Sequence, residues 1–290
     1  MPVARPLSPT FMLTRSFIFA KGLSEELERA LWARGVTSWE VLRQQPGEAA
    51  EVLGSARSQR LIEAVNDAQT ALAKRDHAWF RANWPERESW RLWKGLCEPD
   101  KVALVDIETT GLTPGYDQIT VIGLADHAAA RAFVAGKPQP GDELLARFTE
   151  AIRPYQLLVT FNGANFDVPF IEKAFRDTNF RFEMPHIDLL WPARSLGLGG
   201  GLKDMEKQLG ITRSDDIKDM RGHEAIQLWG AWRNGDLAAY KKLTTYCKAD
   251  CVNLKDFADA VYRKKWAQVF ESHAREIDFA KVKGEQQSLF

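Results

Sequence analysis

Asp106 and Glu108 stand two residues apart in the apolar run KVALVDIETT. A strand turns successive side chains to opposite faces, so this spacing puts both acids on one face while Val105 and Ile107 enter the core. Taken alone, the pair reads as a strand face that meets water; in apolar surroundings it is costly unless solvated or bound to a cation. Asp167 follows a second apolar run at once, in TFNGANFDVPF, where Asn162 and Gly163 supply a turn at the strand end. Ligands of α/β sheets bind at such ends; the plain alternative for Asp167 is an N-cap for the helix that Pro169 opens. Asp250 lies four residues after Tyr246 in DLAAYKKLTTYCKADCVNLKDF, which sets the two on one helix face, one turn apart. Four carboxylates and a phenol drawn from a strand, a strand end and a distant helix form a chemical set. Hard divalent cations take such oxygen ligands, and in pairs about 3.5–4 Å apart they clamp an in-line displacement at phosphorus.

The elements that must position these residues begin near residue 100. KVALVDIET, QITVIGLAD and ARAFVAG read as three strands joined closely enough to pair antiparallel. DELLARFTEAIRPY reads as a helix ended by Pro154, LLVTFN as a further strand, and FDVPFIEKAFRD as a helix with Pro in its first turn. The remainder is helical apart from PHIDLL and the Gly-rich SLGLGGGLK. The expected class is α/β: a mixed sheet with its first three strands antiparallel, flanked by helices and preceded by a small all-helical domain.

In that leading domain three helices are expected within residues 22–75. SEELERALWARG has Ser24 as its cap, SWEVLRQ has Ser38, and SQRLIEAVNDAQTALAKRD carries Leu61, Ile62, Val65, Ala68 and Leu72 on one stripe. The boundaries read as 1–75 for the helices, 76–99 for a Trp-rich connector, 100–262 for the α/β domain and 263–290 for a C-terminal helix and tail. The connector holds Trp79, Trp84, Trp90 and Trp93 of the chain's ten Trp. Hydrophobic filler is the expected role, ahead of a base-stacking platform.

In order and spacing, DIETTGL, FNGANFD and YCKAD resemble the three motifs of the DEDD superfamily of 3′–5′ exonucleases, in the subclass whose third motif is Tyr-x-x-x-Asp. The stretch MPHIDLLWPARSLGLGGGLKDMEKQLGI, with YCKADCVNL after it, is similar to the YprB-type branch of the ribonuclease H-like fold. This resemblance implies catalytic roles for Asp106, Glu108, Asp167, Tyr246 and Asp250, with the four acids holding two divalent cations, Mg²⁺ or Mn²⁺. Asp106 would bridge both, Glu108 and Asp250 would complete the first shell, Asp167 would hold the second cation or its water, and Tyr246 would orient the attacking water. By the same resemblance Thr109, Gly111 and Leu112 would cradle the terminal nucleotide, and Asn162 would touch the substrate. Asp188 is a candidate to support a ligand from behind. His186 reads as the start of a packed element, Lys203 as solvated rather than phosphate-bound, and Cys247 and Cys251 as small core fillers.

The two ends carry further resemblances. FIFAKGLSEELERALWARGVTSWEVL is similar to a degenerate helix–hairpin–helix, with Gly22 present and Ser24 where a second Gly would stand. Such a turn offers backbone N–H groups to a DNA phosphate, or serves structure alone. The tail EQQSLF resembles the peptide by which bacterial replication and repair proteins dock the sliding clamp, through Gln286, Leu289 and Phe290. The motifs point to a metal-dependent 3′–5′ exonuclease acting on single-stranded or frayed 3′ ends, and the tail tips its substrate towards DNA in repair or replication. The alternatives are an exoribonuclease that trims RNA ends and a nucleic-acid-binding module without catalysis.

Composition bounds this reading. Lys plus Arg and Asp plus Glu are both 39, so net charge points to no polyanion-binding block and nucleic-acid contact must come from local patches. No apolar run approaches the roughly 18 residues of a membrane span. The stretch from Phe17 to Ala20 is shorter than the ~7–15 residues of a signal-peptide core. Cys97, Cys247 and Cys251 make neither a disulfide scaffold nor a thiolate zinc site. A cytoplasmic protein without membrane contact is expected.

Overall fold

The computed structural model describes residues 13–136, 143–176, 180–215, 217–218, 220 and 222–271. The chain divides into two compact units, one made of Met1–Leu96 with Tyr262–Phe290 and the other of Cys97–Val261.

In the first unit, α1 (Glu25–Ala33) starts where the Ser24 hydroxyl accepts the Leu27 N–H, and α2 (Trp39–Gln44) where Ser38 accepts that of Val41. Helix α4 (Ser55–Lys74) buries Leu61, Val65 and Ala68 of the expected stripe, with Ala71, while Ile62 and Leu72 are only half-buried. An additional helix, α3 (Pro46–Leu53), separates α2 from α4. Pro46 suits a first helical turn, where its missing N–H would have no partner, and Gly54 ends the helix at φ +78°. Eight residues between two turn signals are too short to show a periodicity of their own. In the turn ahead of α1, Gly22 has φ +82°, and Ser24 acts as the helix cap.

Helix α5 (His77–Asn83) is followed by Pro85 and a 3₁₀ segment, Glu86–Trp93. Trp84, Trp90 and Trp93 are buried. Trp84 stacks on Phe19 with centroids 5.2 Å apart, and Trp90 meets Tyr262 edge-on. The indole N–H groups of Trp84 and Trp90 donate to the carbonyl and carboxylate of Glu88. Trp84 and Trp90 are thus packed inside the unit with their indole N–H groups satisfied.

Beneath them lies a buried ion network. Glu28 Oε1 accepts from Ser16 Oγ and from the N–H groups of Phe17 and Ile18, and Arg91 donates to Glu28 Oε2 at 2.7 Å and to Glu88 Oε2 at 2.6 Å.

The second unit is built on a five-stranded mixed sheet. Its strands are β1 (Val102–Thr109), β2 (Ile119–Ala125), β3 (Ala130–Val134), β4 (Leu157–Thr160) and β5 (His186–Asp188), in the order β3-β2-β1-β4-β5. The pairs β1–β2 and β2–β3 are antiparallel, as the short connections require, while β4 runs parallel to β1 and β5 parallel to β4. The helices are α6 (Glu143–Ile152), α7 (Asp167–Ala174), α8 (Leu190–Ser195), α9 (Leu202–Leu209), α10 (Gly222–Arg233) and α11 (Leu237–Trp266). None of the described helices is long and apolar enough to cross a membrane.

Both faces of the sheet are covered. Val105, Ile107, Ile122 and Leu124 join Phe148, Phe170 and Ile171 in the larger core cluster. On the other face Val121 packs with Leu243, Tyr246 and Cys247 of α11 and with Ala225 of α10. Fully burying each large apolar side chain is worth about 1.5–3 kcal/mol, so β1 is held firmly between two layers.

One residue sets how close those layers come. Gly123 pairs with Asp106 across β1–β2. A Cβ at Gly123 would lie 2.8 Å from Cys247 Sγ and closer still to Cys251 Sγ. Both thiols are fully buried, as small core fillers should be, and the bare backbone of Gly123 lets α11 seat against β2 beside Asp106.

Candidate active site

β1 carries Asp106 and Glu108 on the face that meets α11, and the register slips between Glu108 and Thr109, a bulge just past the acids. α11 brings Asp250, with Tyr246 one turn before it. One carboxylate oxygen from each of Asp106, Glu108 and Asp250 lies within 4.8 Å of the other two. Glu108, Asp250 and Tyr246 are buried, and Asp106 is half-buried.

Asp167 arrives differently. It is the first residue of α7 rather than its cap, since Phe166 precedes the helix without a side-chain cap bond. Its Oδ1 accepts the N–H of Ile107 at 3.0 Å, which pins it to the backbone between the two β1 acids. The turn that delivers it is tightly built. Asn162 adopts φ +62°, and a side chain at Gly163 would collide with Thr160, whose hydroxyl accepts the Gly163 N–H. Asp188 accepts from the N–H groups of Asn162 and Leu190 at Oδ1 and of Ala164 at Oδ2. The two donors from the turn, Asn162 and Ala164, fix β5 to the turn before Asp167. His186, the first residue of β5, bonds Thr160 Oγ1 through Nε2 at 2.8 Å. Burial pulls its pKa down to about 4, so the ring is neutral at pH 7.

Past the bulge, the Thr109 hydroxyl donates to Gly111 O, and Asp117 accepts from Thr113 N and Thr110 Oγ1. A side chain at Gly111 would meet the Asp117 carboxylate at 2.5 Å. Leu112, at the tip, is 81% exposed.

The electrostatics are those of crowded anions out of water. Burial, and then Asp250, Asp167 and Glu108, push Asp106 well above the usual carboxylate range. Burial and then Asp250 push Glu108 up to about 8. Burial raises Asp167 to about 7 against the pull of its backbone N–H bonds. Asp250 is raised by burial too, although Arg213 and Lys203 oppose that. Tyr246 is raised by burial, then by Asp250 and Glu108.

Two cations answer this charge. Lys203 Nζ donates to the Tyr246 hydroxyl at 2.6 Å and to the Met220 carbonyl. The expectation of a solvated Lys203 is therefore corrected: α9 turns it inward. Arg213 is buried, with Nε and Nη2 on the two Glu206 oxygens at 2.6 and 2.8 Å and Nη1 on Asp250 Oδ1. Sequence reasoning missed Arg213 and Glu206. Glu206 had a signal, three residues after Lys203 on the same helix face, whereas Arg213 sits in an irregular segment whose partners are 7 and 37 residues away.

The donor set suits a hard divalent cation. Among the described residues no hydrogen bond reaches Asp106 or Glu108, and burial first, then the neighbouring carboxylates, favours their neutral forms. A cation among three oxygens within 4.8 Å of one another would supply opposite charge. Gln286, Leu289 and Phe290 lie outside the described residues.

No curated protein matches the chain. Residues 103–262, more than half of it, match the model of the RNase_H superfamily. The chain belongs to that superfamily, which implies a nuclease or nucleic-acid-related activity.

Proposed function

We propose that the protein is a metal-dependent 3′–5′ exonuclease of the Tyr-x-x-x-Asp subclass and YprB type, releasing nucleoside 5′-monophosphates from single-stranded or frayed DNA ends. The observation that carries this reading is the convergence of Asp106, Glu108 and Asp250, with Asp167 bonded to the backbone between the first two and Tyr246 one turn from the last.

Asp106, Glu108 and Asp250 would hold one Mg²⁺ or Mn²⁺, and Asp167 with Asp106 a second. When bound, the cations supply charge stabilisation at phosphorus and ease deprotonation of the attacking water. The protein's own groups do the rest. Tyr246 accepts a hydrogen bond from Lys203, which leaves its own O–H to donate, and a water or a phosphate oxygen is the fitting acceptor. Thr109 and Gly111 form a tied loop beside the acids, and the exposed Leu112 offers an apolar edge for a terminal base. Asn162, held in its left-handed conformation by Asp188, would contact the strand from the other side.

Around this core, residues 1–75 are read as a degenerate helix–hairpin–helix module, 76–99 as the connector, and 263–290 as a helix and tail that docks a bacterial sliding clamp through Gln286, Leu289 and Phe290. The setting that fits these parts is cytoplasmic genome maintenance. Deleting residues 286–290 should abolish clamp binding and spare activity on short oligonucleotides; unchanged clamp affinity would remove the docking role.

The deciding experiment incubates 5′-labelled single-stranded DNA and RNA of one sequence with wild-type protein in Mg²⁺, Mn²⁺ or chelator, with Asp106→Ala as control. A DNA ladder shortening from the 3′ end, lost with chelator and in the variant, supports the reading. A ladder on RNA alone keeps the mechanism and reassigns the substrate, and cutting of a closed circle overturns exonuclease action.

A further inference from the structure

Arg213 touches no expected substrate position, yet it spends all its reach on the site. Its guanidinium is gripped by both oxygens of Glu206, and the remaining nitrogen bonds Oδ1 of Asp250. The side chains of Arg213, Glu206 and Asp250 are all more than nine-tenths buried. A planar guanidinium held at two points cannot swivel. Asp250 projects from a helix whose next turn back holds Tyr246, itself tied by Lys203 from the same α9 segment that carries Glu206. The segment from Lys203 to Arg213 therefore grips both residues of the Tyr-x-x-x-Asp pair from outside the acid cluster.

We propose that Arg213, locked by Glu206, is a positioning residue that fixes the carboxylate of Asp250 in the orientation needed to share a divalent cation with Asp106 and Glu108. The inference rests on the two-cation reading given above and adds to it the residues that make the third carboxylate a ligand. Two effects oppose each other when Arg213 is removed. Loss of a positive charge beside three carboxylates, by itself, would tighten the hold on a cation. Loss of orientation would weaken it, and partners behind metal ligands are worth about 10–100-fold in affinity. The rigid two-point grip makes orientation the larger effect.

The test is Mn²⁺ binding to the full-length protein, read from the electron paramagnetic resonance signal of free Mn²⁺, without nucleic acid. Arg213→Gln should bind Mn²⁺ about 10–100-fold more weakly than wild type. Arg213→Lys keeps the charge but not the fork and should fail to restore binding. Arg213→Gln strands Glu206, so the paired variant Glu206→Met with Arg213→Met, which removes the buried charges together, guards against loss of fold; it should stay folded by circular dichroism and bind as weakly as Arg213→Gln. Mn²⁺ affinity equal to or above wild type in the folded paired variant, or full recovery in Arg213→Lys, would overturn the positioning role. Asp106→Ala separates the two readings: if it too binds Mn²⁺ normally, the cation site itself is misassigned, whereas if it alone loses binding, only the role of Arg213 falls.

Discussion

Each of the two units buries an arginine side chain between two carboxylates that hold its charge against burial, and the acids around the two pairs differ. In the first unit Glu28 collects Ser16 Oγ, two backbone N–H groups and Arg91, while Glu88 takes Arg91 and the Trp90 indole. Burial works against the Arg91 charge, and Glu28 and Glu88 more than offset it. In the second unit Arg213 also joins two acids, but Asp106, Glu108 and Asp167 crowd the same region. Three carboxylates there lie well above their ordinary range. The first network gives its carboxylates donors and leaves only Arg91 Nη2 without a hydrogen bond among its guanidinium nitrogens; the second leaves anions short of positive charge, which prepares it for a ligand.

The contrast breaks most visibly on deletion. Asp106→Ala and Asp250→Ala should each lower turnover in the proposed exonuclease assay by several orders of magnitude, and Asp106→Ala should raise thermal stability in chelator because repulsion is relieved. Near-normal metal-dependent rates in either variant would refute the assignment. Arg91→Ala should do the reverse, costing about 3–5 kcal/mol in chemical denaturation because it strands two buried carboxylates. A loss under 1 kcal/mol would mean that the first network is no tighter than the second.

Tyr246→Phe removes one hydroxyl and leaves every acid in place. A fall of about one to two orders of magnitude in turnover is expected, less than for any acid. If the loss matches that of Asp250→Ala, the phenol does more than orient a water.

The smallest effect is in pH. Glu108 and Asp167 bind a proton more tightly folded than unfolded, so their stabilising contribution is complete below about pH 4 and is lost as pH rises through about 7 to 8. In chelator the melting temperature should decline across that window, Glu108→Gln should flatten the decline, and saturating Mn²⁺ should reverse it. A melting temperature independent of pH between 5 and 8 would show that the carboxylates are not short of charge.

How much of this could be read before the structure depends on distance along the chain. Asp106 and Glu108 share a face because a strand has period two, and Tyr246 and Asp250 because a helix has a four-residue turn. The caps at Ser24 and Ser38 are likewise local, and the hydroxyls accept the N–H groups their positions suggest. Helix α3 escaped because it is framed by Pro46 and Gly54 and has no stripe long enough to count. The anchoring of Asp167 to Ile107 N spans 60 residues, and that of Asp250 to Arg213 spans 37. No periodicity encodes such pairs; they exist only once the sheet order and the seating of α11 are set.

That seating has a consequence for tolerance. Coordination distances in a metal site hold to about ±0.2 Å, far finer than the width of a methyl group. A methyl at Gly123 would also come within 3.1 Å of the Cys247 carbonyl, a backbone atom that cannot swing aside as a side chain can. One hydrogen atom on β2 thus acts as the shim between helix and sheet. The gauge of the candidate metal centre is set by a residue that binds nothing, carries no charge and takes no part in the chemistry.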